Sequence, residues 1–158
     1  MDVISCYDQC TTVLESAVHD MLFNKNQHLF DTQYENLTRF VNLSQTIRYQ
    51  VVFDKSNPLK GYFYSLAALV FLMRYVESAA FAKETKFEFQ PAQIWVTCHM
   101  LANKAFEDHA FTLLAWEKMS GLPLAKAELH VLQVINYDIT LTSNDINQIC
   151  DLLFMKLF

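Results

Sequence analysis

Four cysteines and five histidines are the side chains of this chain best suited to nucleophilic or metal chemistry, and their spacing argues against both. Cys6 and Cys10 stand at i and i+4, close enough on a helix to share a metal. They fall on an apolar stripe, however, and no CxxC or HExxH accompanies them, so buried packing is the expected role. Cys98 and His99 are adjacent, and neighbours on a helix point in different directions, which makes a poor nucleophile–base pair. The expectation is a core cysteine beside a surface histidine. His19, His28, His109 and His130 are scattered without HxxxH spacing, and with only 2 Gly there is no loop to cradle a phosphate. The chain is therefore not expected to be an enzyme, to hold a metal or cofactor, or to take a small-molecule substrate.

Composition narrows the remaining classes. The 158 residues suit one domain, and 53% hydrophobic with 14% aromatic residues can fill a sizeable core. Two Gly and 3 Pro are few for a sandwich or barrel of short strands, which favours helices. A net charge of -5 argues against nucleic acid as a primary partner. The longest apolar run, Leu66 to Met73, is far shorter than the roughly 20 residues that span a bilayer. Sparse cysteines and the absence of a basic-then-apolar leader after Met1 predict a reducing compartment, cytoplasmic or nuclear.

Apolar periodicity then places the elements. Val3, Cys6, Cys10, Leu14, Val18 and Leu22 form a helical stripe over 3–23, interrupted by the polar run Asn24 to Gln27. Phe40, Val41, Ser44, Ile47 and Val51 predict a second helix over about 33–53, followed by a turn that ends at Pro58. The segment 59–81 is apolar on nearly every side, as expected of the central helix, with Gly61 near its start. Residues 82–89 read as charged and extended. Gln90-Pro91 opens a helix through Phe106, and a short helix 111–119 ends at Gly121, a left-handed cap. Pro123 opens the next, with Ala127, Val131 and Ile135 inward, and Ser143 is read as the cap of a C-terminal helix bearing Ile146, Ile149, Cys150, Leu153 and Leu157. The predicted fold is all-α.

Several of these segments resemble a known family. Leu101-Ala102-Asn103-Lys104-Ala105-Phe106-Glu107-Asp108 is similar to the end of the third helix of a cyclin box. Ala115-Trp116-Glu117-Lys118-Met119-Ser120-Gly121-Leu122 resembles the fourth helix and its turn. Ala127 through Ile139 resembles the fifth, in which a glutamate precedes a short apolar run and an Asn-Tyr-Asp-Ile end. Leu66 to Arg74 is similar to the second. The likeness covers positions 35–142 and is nearest to the short, single-box cyclins of the fungal phosphate-signalling group and their protist relatives. It divides the chain into an N-terminal helix within 1–30 packing on the box, a five-helix cyclin box at 31–142, and a C-terminal helix at 143–158.

What the resemblance implies is a non-catalytic subunit that binds and activates a cyclin-dependent protein kinase, with cell-cycle-type regulation of chemistry it does not perform. The family's kinase-contacting Lys and Glu fall on Lys104 and Glu128, expected to be largely exposed and to pair across the third and fifth box helices. Leu132, Tyr137 and Ile139 are the expected apolar part of that contact. Three departures stand out. Met73 occupies the position of the family's Asp, so its Asp–Arg pair is not reproduced, and either Arg39 or Arg48 would be the arginine. Lys104 and Glu128 are closer in sequence than usual, and no MRxIL-type docking motif is present. These leave two other readings: a cyclin-fold scaffold or adaptor without kinase activation, and an unrelated helical enzyme or metal protein, for which no site is found.

Overall fold

The burial pattern of the second helix shows how local spacing becomes packing. Phe40, Leu43, Ser44 and Ile47 recur at i, i+3, i+4 and i+7, and all four are buried. The computed structural model describes residues 12–31, 37–51, 55–57, 60–81 and 89–157. The start of the first predicted helix with Cys6 and Cys10, Pro58, the charged segment 82–88 and the side chains of Leu153 and Leu157 lie outside the described residues. The described elements are α1 (12–19), α2 (Leu37–Thr46), α3 (Lys60–Phe81), α4 (Pro91–Phe106), α5 (Leu113–Ser120), α6 (Ala125–Val134) and α7 (Ser143–Leu157). All are helical, and no strand occurs among the described residues.

Two helices end differently from expectation. α1 and α2 each run into a wide, π-helical turn, Asp20–Lys25 and Ile47–Val51. In an α-helix consecutive side chains diverge by about 100°. The extra residue per turn changes that. Leu22 and Phe23 are both buried in the first wide turn, and Ile47 and Arg48 in the second. Asn26 closes the first, its backbone N–H and its Nδ2 both donating to the Met21 carbonyl at 3.1 and 2.9 Å.

α3 is central: it packs on α4, α6, α7 and the second wide turn. α4 is nearly as enclosed, touching α2, α3, α5 and α6. Gly61 sits where α3 starts across that wide turn. A Cβ there would lie 2.5 Å from the Arg48 carbonyl oxygen, so the glycine permits a close backbone approach. Arg39 is exposed, whereas Arg48 is only 1% exposed and forms an ion pair with Glu15 of α1. The buried arginine thus takes its carboxylate from the N-terminal helix, and Met73 lies partly buried in a groove with Arg74, Glu77, Asp145 and Ile149.

Capping residues set the remaining boundaries. Gln93 Oε1 accepts the Gln90 N–H at 2.9 Å, fixing the start of α4. Thr112 caps α5 by accepting from Ala115 N, and Gly121 ends it at φ 69. α6 begins two residues after Pro123. The cap of α7 is Thr142 rather than Ser143: its Oγ1 accepts Asp145 N at 3.1 Å, while Asp145 Oδ2 accepts Thr142 N at 2.9 Å. The Thr-x-x-Asp spacing makes this reciprocal pair, and Ser143, one residue on, falls inside the helix.

Candidate functional site

Lys104 stands in the last turn of α4 and Glu128 in the first turn of α6. Each sits where its helix dipole favours its charge, a cation by the C-terminal carbonyls and an anion by the N-terminal amides. Packing of α4 on α6 brings the two together, and Lys104 Nζ donates to Glu128 Oε2 at 2.9 Å. The lysine side chain is 39% exposed, but the glutamate only 19%. The expectation that both are largely exposed therefore holds better for Lys104. Glu128 is drawn inward because its neighbours Ala127 and Val131 are buried. A pair this open contributes about 1 kcal/mol or less to the fold.

The surrounding backbone is held by polar contacts of its own. Glu107, just past α4, accepts from Tyr64 Oη at 2.6 Å and pairs with Lys60 at 2.7 Å, both from α3. Asn103 Oδ1 accepts Phe111 N at 2.8 Å, which ties the loop after α4 back onto it. Gln93 donates to the Pro123 carbonyl at 2.9 Å, and Glu117 accepts Leu124 N at 2.9 Å, which fixes the approach to α6. Burial and the short Glu107 bond together push the Tyr64 phenol well above its usual range.

Of the expected apolar contacts, Tyr137 is 58% exposed, while Leu132 and Ile139 are partly buried against the core. Six further exposed apolar side chains were not anticipated: Tyr49 in the second wide turn, Phe63 on α3, Phe106 at the end of α4, Phe111 in the following loop, Leu114 on α5 and Leu129 on α6. The last four lie on α4, on α6 or on the segment between them. A signal existed for Leu129, which is two residues from buried Ala127 and Val131 and so falls off the inward face of its helix.

Of the other chemistry-bearing residues, Cys98 and His99 are enclosed, His19, His130 and Cys150 are partly buried, and His28 and His109 are exposed. His99 is fully buried rather than on the surface, because α4 is covered on all sides by other helices. Its Nε2 lies 3.0 Å from Ser65 Oγ and its Nδ1 3.0 Å from the Trp95 carbonyl. A serine–histidine contact of this kind has the form of a catalytic pair, but both residues are fully buried and no substrate could reach them. Burial pushes the imidazole down to about 3, against the Trp95 bond and with help from Arg48. Burial likewise raises the Cys98 thiol far above its ordinary value, so it is not a thiolate. Among the described residues no group of three His, Cys, Asp or Glu is placed to hold a metal, and no helix is long and apolar enough to cross a membrane.

Comparison with known proteins identifies no neighbour: no family model, no curated protein and no solved structure matches this chain.

Proposed function

We propose that this chain is a cyclin-like regulatory subunit that binds a cyclin-dependent protein kinase through α4, α5 and α6 and holds the kinase's regulatory helix in its active position. In this reading α2 to α6 are the five helices of a cyclin box, α1 and α7 are additions at its ends, and the subunit works in the cytoplasm or nucleus. The observation that carries it is the 2.9 Å Lys104–Glu128 pair joining α4 to α6, on the two residues whose surroundings resemble the family's kinase-contacting positions. The ammonium offers donors and the carboxylate acceptors to a kinase backbone. Phe106, Phe111, Leu114, Leu129 and Tyr137 supply exposed apolar area on and beside the same elements. Fixing the kinase's own Lys–Glu ion pair is what makes phosphoryl transfer competent, so this subunit would govern a reaction it does not perform.

A second reading, a cyclin-fold scaffold that does not activate, is favoured by Met73, an apolar side chain where the family has an Asp.

The test is calorimetric affinity across a panel of cyclin-dependent kinases, with melting curves and kinase activity for each variant. Lys104→Glu and Glu128→Lys each break a pair worth about 1 kcal/mol or less and oppose a helix dipole, so each should cost about 1–2 kcal/mol and leave the chain folded. At a desolvated interface the same changes should weaken binding about 30-fold or more, because partner groups are left unpaired. If no kinase binds, or if both variants bind one at full strength, the proposal is overturned. Binding without activation would select the scaffold.

A further inference from the structure

The corner after α6 is built in an unusual way. α5 ends on a single left-handed residue, Gly121, the ordinary solution. α6 is followed instead by two consecutive non-glycine residues in the left-handed region, Asn136 at φ 56 and Tyr137 at φ 58. Asparagine tolerates this conformation, but a bulky tyrosine does so only under strain, and such a residue persists where its surroundings over-determine it. Local bonds supply part of the constraint: Tyr137 N donates to the Leu132 carbonyl at 2.7 Å and Asp138 N to the Ile135 carbonyl at 3.2 Å. The rest comes from α3. Arg74 Nη1 donates to the Asp138 carbonyl at 3.0 Å, one residue beyond the strained tyrosine.

The same guanidinium has a second engagement. Its Nη2 donates at 3.2 Å to Asp145 Oδ2, the oxygen that also accepts Thr142 N and Thr142 Oγ1 at the start of α7. Arg74 is itself fixed, 22% exposed, with its cation 5.6 Å from the Phe71 ring centre. One planar fork thus joins the corner that turns Tyr137 outward to the cap of the C-terminal helix, a geometry that a lysine could not reproduce.

We propose that Arg74 is a positioning residue of the partner face, and that through it the affinity for the partner depends on how α7 is seated on α3. This rests on the kinase-binding reading above. Were α7 to leave α3, Asp145 would leave with it, and Arg74 would keep only its polar contacts to Asp138, the carbonyl at 3.0 Å and the carboxylate at 3.8 Å, without the second carboxylate that holds the fork in register. Linkage then works in both directions: a partner bound at Tyr137 tightens the seating of α7.

The experiment uses the full chain, the kinase found by the affinity panel, and the variants Arg74→Met, Asp145→Asn, Tyr137→Ala and the Arg74→Met/Tyr137→Ala double. Arg74→Met should weaken binding about tenfold, within the ordinary range of coupling between sites. In the Tyr137→Ala background it should cause no further loss, a result that a purely structural role would not produce. Hydrogen exchange of α7 amides should slow when the kinase binds. Asp145→Asn keeps an acceptor for Thr142 but removes the charge opposite Arg74, and it carries the same test if Arg74→Met fails to fold. Full affinity in Arg74→Met or Asp145→Asn, additive losses with Tyr137→Ala, or unchanged α7 exchange would overturn the coupling. Losses in Lys104→Glu and Glu128→Lys beside full affinity in Arg74→Met would discard this inference alone. Full affinity in both interface variants would remove the kinase reading itself.

Discussion

His99 shows most plainly how enclosure changes a residue. The free imidazole titrates near 6.5, while in the folded chain burial, aided by Arg48, holds it down to about 3. Above 6.5 neither state takes the proton. Between 6.5 and 3 only the unfolded state does, so stability is complete above that window and falls as the pH drops through it, by about 1.4 kcal/mol per pH unit for this one group. Carboxylates add their own acid dependence, so the informative quantity is a difference between variants. His99→Gln retains polar capacity next to Ser65 and removes the titration. Urea unfolding of both proteins between about pH 7.5 and pH 5 should show the parent's stability falling relative to the variant. A constant difference would mean that the imidazole is not kept neutral. The Lys104–Glu128 pair was expected from a resemblance of the two segments that carry it, and the side chains do meet at 2.9 Å. The burial of His99 was not. His99 and Asn103, four residues apart, look like the wet face of α4, and only the surrounding helices, which the local sequence does not encode, make that face dry.

Among the elements, the start of α3 makes the sharpest prediction. On helix propensity alone, Gly61→Ala should stabilise by about 1 kcal/mol. Against that stands a Cβ placed 2.5 Å from the Arg48 carbonyl oxygen, a backbone atom that cannot rotate aside. Overpacking of this kind costs about 1–3 kcal/mol, so the clash should win. The measurement is the denaturant midpoint at unchanged slope, and a variant more stable than the parent would mean that the wide turn does not approach α3 so closely. Helix positions were largely readable from period and caps: α3, α4 and α5 lie within a residue or two of expectation. The wide turns were not, since the apolar pattern of a π-helical turn continues that of the helix it extends. The cap of α7 was readable but misplaced by one residue, because Thr142 and Ser143 are both good caps and only Thr142 has an acid three positions on.

For the molecule as a whole, the end helices share the central core. Leu14 and Val18 of α1 and Ile149 of α7 are buried in the same cluster as α3 and α4. Removing residues 143–158 should strip cover from the α3 face at Val70 and Met73, and so lower the melting temperature or leave the chain insoluble. An unchanged melting curve would instead make α7 an independent element. The all-helical architecture was legible because apolar stripes of helical period run through nearly every segment, and 2 Gly and 3 Pro are few for a sandwich or barrel of short strands. The burial of both tryptophans has a spectroscopic consequence. Trp95 bonds Ser44 at 2.9 Å and packs edge-on against His99 with ring centres 4.4 Å apart, and Trp116 is buried on α5. No indole lies on the exposed face around Lys104, so this chain's tryptophan emission, excited at wavelengths that tyrosine does not absorb, reports its interior alone. An emission change on adding a kinase must then come from the kinase's own chromophores or from a rearrangement of this core, and a tryptophan-free kinase variant separates the two sources.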